Sequence, residues 1–258
     1  MTLRKLVPAF HERVWGAESL APWFPQTPSS MKTIGEVWFQ TPEIKLLVKF
    51  LFTTQNLSVQ VHPEDDYAEE HHQSPGKTEM WHVLAARPGA KISAGFRKSI
   101  TPEKAREAAL SGEIEHLLAW HEARAGDTFF IPAGTVHAIG AGLTICEIQQ
   151  VSDITYRLYD YGRKGLDGKP RQLHLEHGLK VSKLEPTTAR TPLPVECNYF
   201  VTLESNHIEW DRDQLAIAIA GEGHIGETPV RQGEVLLVPA NTQAKVSGDL
   251  KLLRTWVP

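Results

Sequence analysis

The stretch AGDTFFIPAGTVHAI at residues 125–139 returns as QGEVLLVPANTQAKV at 232–246, aligned without a gap at an offset of 107. Each copy runs glycine, acid, four apolar or β-branched residues, proline, alanine and a turn residue. An ordered set of this kind marks a duplicated unit, and its pattern is that of a strand closed by a turn. Outward from the two copies, 19 glycines and 17 prolines punctuate short segments rich in Val, Ile, Phe and Trp. Strands are expected at 34–40, 44–53, 57–62, 79–86, 128–132, 144–150, 200–204, 215–220 and 234–239. The expected architecture is all-β, two related two-sheet sandwich units with a few short helices.

The first unit is expected to span residues 1–165 and the second 190–258, with 166–189 as a linker carrying a short helix. TPEKAREAALSGEIEHLLAW (101–120) opens on Thr then Pro, carries acids early and spaces Ala, Leu and Ile at helical intervals, so one or two short helices are expected there. RQLHLEHGLKV (171–181) is a weaker helix candidate, and the acidic runs near residue 65 read as a solvated loop.

Composition narrows the function classes. Of 258 residues, 41% are apolar and 22% charged, and 27 basic side chains face 31 acidic ones for a net charge of −4, so neither nucleic acid nor an anionic membrane is the expected partner. No apolar run approaches the roughly 18 residues of a membrane helix, the N-terminal residues lack signal-peptide features, and a cytoplasmic location is expected. Cys146 and Cys197 are too few for a disulfide framework or a thiolate metal site.

The twelve histidines carry more. In LSVQVHPEDD, Gln60 and His62 stand two apart on an expected strand and so emerge from one face. In KTEMWHVL, Lys77, Glu79, Trp81 and Val83 share a face by the same parity, and Glu79 can add a carboxylate. Gly126, Pro132, Gly134 and His137 resemble the second cupin motif, G-x5-P-x-G-x2-H, whose tight turn sends the histidine inward from the next strand. The expected fold is therefore a double cupin of two jelly rolls. Two imidazoles, a carboxylate and an amide oxygen suit a divalent metal, most commonly zinc; the histidine and glutamate subset is also the facial triad of non-haem iron enzymes. His71, His72, His82, His116 and His121 have no comparable support.

Lys49 lies inside LLVKFLF, where an ammonium must snorkel, pair or face a cavity. Lys77 stands beside Glu79, and VSDITYRLYDYGR brings Asp153 and Arg157, which read either as surface salt-bridge partners or as part of a positive pocket for a small phosphorylated anion.

These residues resemble the type I mannose-6-phosphate isomerases in their short bacterial form. The resemblance covers most of residues 5–183, through VWG, IGEVW, LLVKFLFTTQNLSVQVHP, GKTEMWHVL, GDTFFIPAGTVHAIG and ITYRLYDYGR. It implies one zinc held by Gln60, His62, Glu79 and His137, a substrate pocket lined by Lys49, Lys77, Asp153 and Arg157, and interconversion of mannose 6-phosphate with fructose 6-phosphate through an enediol. Within that implied reaction, Lys77 or Lys49 stabilises the enediolate and Arg157 takes an electrostatic or ring-opening role. The base stays open between a lysine, Asp153 and metal-bound water. The rival readings are an iron-dependent cupin oxygenase and a non-catalytic sugar-phosphate sensor. In the second unit the offset places Ala244 where the first has His137, and His224 sits in GEGHIGE, expected as a turn, so that unit is expected to hold no metal.

Overall fold

The computed structural model describes residues 2–188, 190–205 and 209–258; Ala189 of the expected linker and 206–208 of the expected second unit lie outside the described residues. Along the chain come β1 (Arg4–Lys5), β2 (Ala9–Ala17), β3 (Ile34–Thr41), β4 (Ile44–Phe52), β5 (Val59–Val61), α1 (Asp65–His72), β6 (Glu79–Ala86) and β7 (Lys91–Phe96). Next are α2 (Pro102–Ser111), α3 (Ile114–Leu117), β8 (Leu118–Glu122), β9 (Thr128–Ile131), β10 (His137–Ile139), β11 (Leu143–Gln150), β12 (Tyr156–Tyr159) and α4 (Leu175–Val181). The rest is β13 (Val195–Glu196), β14 (Val201–Glu204), β15 (Gln214–Ala220), β16 (Glu222–Ile225), β17 (Thr228–Arg231), β18 (Val235–Val238), β19 (Val246–Gly248) and β20 (Lys251–Trp256).

The strands form two sandwiches. In the first, a large sheet ordered β2-β3-β4-β11-β6-β9 faces a second sheet ordered β12-β5-β10-β7-β8. In the other, a large C-terminal sheet, β1-β18-β15-β20-β14-β13, faces the small sheet β17-β16-β19. The all-β double cupin holds, and the repeat is visible in the backbone: β9 and β18 occupy the same offset, and the glycine before each strand is left-handed, Gly126 at φ 90° and Gly233 at φ 89°. Where the first copy turns at Gly134 with φ 86°, the second uses Asn241 at φ 60°, the residue besides glycine that best tolerates that conformation. Arg4 and Lys5 pair with Leu237 and Leu236, so the N-terminus closes the edge of the C-terminal sheet.

Every expected strand is present. Three local readings need correction. The acidic run near residue 65 is a helix, α1: Asp65 and Asp66 lie in the positive first turn, and Gln73 in the left-handed region ends it with its N–H on Glu69 O. The 101–120 segment stays helical only to Leu117. Thr101 caps α2 by accepting from Lys104 N at 3.2 Å and Gly112 closes it, while LAWHE at 118–122 pairs with the open edge of β7. His224 lies in β16 and is exposed, not in a turn.

The large N-terminal sheet is buried on both faces. Val37, Phe39, Phe50, Cys146 and Ile148 pack against Leu215, Ile217, Val235, Leu237 and Leu253 of the C-terminal sheet, while Leu51, Val83 and Ile145 face Ile92, Ala94 and Ile139 of the sheet opposite. Helices α2 and α4 cover the other side of that second sheet, the buried face of α2 being Ala105, Ala108 and Ala109 beside Val59, Val61 and Leu158. Phe50 is fully buried with its ring 5.3 Å from Phe24 and 6.0 Å from Phe39. Phe50→Ala is expected to cost about 3–5 kcal/mol in equilibrium denaturation, against about 0.5 kcal/mol or less for Val7→Ala at an exposed position; equal effects would show that the two sandwiches are not packed through this face.

Candidate functional site

Cross-strand register assembles the site from two facing sheets. On the inner face of the large sheet, Trp38 pairs with Lys49, Lys49 with Glu147 and Glu147 with Trp81, making one row across β3, β4, β11 and β6. The next row sets Gln149 beside Glu79. On the facing sheet, Gln60 of β5 has Arg157 of β12 on one side and His137 of β10 on the other. His62 follows Gln60 by two residues, so it points the same way.

Four residues expected as ligands are thereby brought together. His62, Glu79 and His137 are buried and offer ligand atoms within 4.8 Å of one another. His137 Nε2 lies 3.4 Å from Glu79 Oε1, and His62 Nε2 lies 3.6 Å from Glu79 Oε2. The Nδ1 atoms are spoken for, His62 donating to Ile154 O at 2.8 Å and His137 to Thr135 O at 2.8 Å, which leaves both Nε2 lone pairs facing the cluster. Burial holds His62 well below its ordinary value and lowers His137 to about 3, so both imidazoles are neutral near pH 7. The Gln60 amide nitrogen is 3.2 Å from His137 Nε2 while its oxygen accepts from Ser58 Oγ at 3.2 Å; a half-turn of the amide presents the oxygen to the cluster.

The donor set fits a divalent metal. Glu79 Oε1 is a buried carboxylate oxygen with no hydrogen-bond partner among the described residues, a costly state that a cation relieves. Burial pushes the Glu79 carboxyl up to about 7 against the pull of Lys77. Lys77 donates to Glu79 Oε2 and sits 3.0 Å from His62 Nε2. Burial works to lower the Lys77 ammonium, but Glu79 and Glu147 outweigh it and the net shift is upward.

Beside the cluster opens a cavity of about 300 Å³ walled by Lys49, Lys77, Gln60, Glu147, Asp153 and Arg157. Lys49 does not snorkel: it is 3% exposed, 3.4 Å from Glu147 Oε1, 3.8 Å from Asp153 Oδ1 and 4.5 Å above the Trp38 ring. Asp153 stands at the mouth with a side chain 63% exposed. Arg157 lines the wall, where NH1 donates to Gln172 O at 2.9 Å and Nε is buried without a partner among the described residues. Its guanidinium forms no ion pair among the described residues, because the nearby Asp160 is taken by Arg163 and Arg171.

Two acids of this wall were not expected from the sequence. Glu147 accepts from Trp81 Nε1 at 2.9 Å and lies between the two lysines. Glu36 takes Arg13 through both oxygens, at 3.2 and 2.9 Å, and Trp38 Nε1 at 2.7 Å; burial would raise its carboxyl, but Lys49 and Arg13 bring it below the usual range. The available signal was an acid inside an apolar strand, TICEIQQ and IGEVWFQ, the same signal that singled out Lys49. A larger cavity of about 830 Å³, lined by Val151, Tyr199 and Val257, contains none of the cluster, so its size does not make it the site.

No family model matches the chain. The mannose-6-phosphate isomerase ManA of Bacillus subtilis is 33% identical over 90% of this chain and 91% of its own length. The chain belongs to the mannose-6-phosphate isomerase family. The mannose-6-phosphate isomerase of Streptococcus mutans is 35% identical over 81% of this chain and 72% of its own. The crystal structure of the mannose 6-phosphate isomerase from Bacillus subtilis superposes with a TM-score of 0.86 at 25% identity, covering 99% of both chains. A zinc-bound mannose 6-phosphate isomerase shares the fold at 15% identity, with a TM-score of 0.75 over the whole of both chains.

Family membership and the cationic wall favour an isomerase over an iron-dependent oxygenase. Elemental analysis is expected to give one divalent ion per chain, lost in His62→Ala and in His137→Ala and retained in His224→Ala, since removing an imidazole leaves too few donors. A histidine variant of the cluster that keeps its full complement of metal would refute the ligand set.

Proposed function

We propose that this family member is a zinc-dependent isomerase that interconverts mannose 6-phosphate and fructose 6-phosphate through an enediol. The observation that carries the proposal is the buried His62, Glu79 and His137 cluster opening onto a wall that includes Lys49, Lys77 and Arg157, three cations that a small phosphorylated anion can meet. Gln60, His62, Glu79 and His137 would hold the zinc, which supplies Lewis-acid polarisation of the open-chain sugar's oxygens.

The remaining chemistry falls to side chains. Lys77, held protonated by Glu79 and Glu147, stabilises negative charge as the proton leaves carbon 2 or carbon 1, and Lys49 adds a second cation from the same wall. A lysine paired with carboxylates is poorly suited to act as base, which leaves Asp153 at the mouth and Glu147 in the floor as the side-chain candidates for moving the proton. Arg157, with a buried N–H that no group among the described residues accepts, is suited to a sugar or phosphate oxygen. In this reading residues up to about 165 carry the chemistry, 166–189 link the units, and 190–258 cover the outer face of the large sheet without a metal of their own. A cytoplasmic location agrees with two free thiols and with the lack, among the described residues, of a helix long and apolar enough to cross a membrane.

A coupled assay on mannose 6-phosphate tests the proposal. Turnover is expected, is lost on chelation and returns with zinc; binding without turnover in the zinc-loaded protein would favour the sugar-phosphate sensor. Arg157→Ala should keep its metal and melting temperature while kcat falls by about a hundredfold or more. A variant that unfolds instead would assign Arg157 to structure.

A further inference from the structure

We infer that His174, a residue outside the cavity wall, is a positioning residue for Arg157; the inference rests on the isomerase reading above. Arg157 lies on β12, the edge strand of its sheet, paired with Gln60 on one side only. An edge strand leaves backbone groups without a ladder partner, and the ladder is already irregular here, its register shifting between Arg157 and Tyr159. The segment running from Arg171 to His174, on the way into α4, takes over the open side.

Three contacts of this strap act on Arg157. The backbone N–H of Arg157 donates to His174 Nδ1 at 3.1 Å, and the backbone N–H of His174 donates to Arg157 O at 2.8 Å. Two residues earlier, Gln172 O accepts from Arg157 NH1 at 2.9 Å. Arg171 anchors the start of the strap by pairing with both oxygens of Asp160, each at 2.6 Å. His174 thus closes a two-bond clamp on the backbone of Arg157 while its neighbour holds one arm of the guanidinium, and the unpartnered Nε is left for the ligand.

The clamp specifies one nitrogen of one tautomer. Nδ1 must carry a lone pair to accept from Arg157, so His174 works as the neutral imidazole with its proton on Nε2. Nδ1 lies three bonds from Cα, as does the amide oxygen of asparagine, whereas the glutamine amide oxygen reaches one bond farther. Asparagine can therefore replace the acceptor in place, and glutamine cannot. Misplacement of a catalytic group by about 1 Å costs on the order of a hundredfold in rate, so loss of the clamp should appear in kcat rather than in metal content.

The test compares His174→Asn with His174→Gln in the full-length zinc-loaded protein, measuring kcat and KM for mannose 6-phosphate, zinc content and thermal melting beside the unaltered chain. The asparagine variant is expected to keep kcat within about threefold of the unaltered chain and the glutamine variant to lose about tenfold to a hundredfold, both with full zinc. An asparagine variant no better than the glutamine variant, whether the shared loss is in kcat or in folding, would overturn the inference, as would a glutamine variant with undiminished kcat. An unaltered chain that binds zinc but does not turn over would instead overturn the isomerase reading.

Discussion

The interior of a closed β-sandwich is normally apolar, yet this one stores Lys49, Lys77, Glu79 and Glu147 at 4% exposure or less. Each charge alone would cost several kcal/mol to bury. They coexist because two ammoniums face two carboxylates across adjacent strands, with Glu147 within 3.4 Å of one lysine and 3.9 Å of the other. Trp81 Nε1 supplies a further donor to Glu147, and the Trp38 ring a face to Lys49. Neutral imidazoles at His62 and His137 add ligand atoms without adding charge. The quartet is therefore both a structural obligation and a chemical resource: balanced against itself in the fold, it faces a cavity where a polar ligand can meet each charge.

The rest of the molecule keeps that arrangement dry and in register. Burial of the large sheet on both faces means that Phe39, Phe50 and Cys146 hold its strands from one side while the site residues of the same strands project from the other. A shift of one residue in any strand would exchange those faces, driving charge into the inter-sandwich core and phenylalanine into the cavity. The second unit, which lacks a histidine at the position corresponding to His137, supplies the apolar face against which those strands pack.

Much of this was legible in the chain. Period-two spacing put Gln60 with His62 and Lys77 with Glu79 on common faces, and the repeat marked the duplicated turn that carries His137. Helix α2 announced itself through Thr101, Pro102 and Gly112. Helix α1 did not, because it buries only Ala68 and has no apolar stripe to detect. The strand at 118–122 was hidden behind helical spacing, since a five-residue segment such as LAWHE is too short for its period to separate strand from helix.

The sequence by itself determined which side chains leave a strand together, because alternation along a strand is a local property of the backbone. Only the tertiary structure decided which strands stand side by side. That pairing set Glu147 between Lys49 and Trp81, gave Glu36 its Arg13, and brought the strap of His174 onto the open edge of β12. The residues that meet in these contacts lie far apart in the chain, and their register is set by the summed burial of two sheets rather than by any one segment.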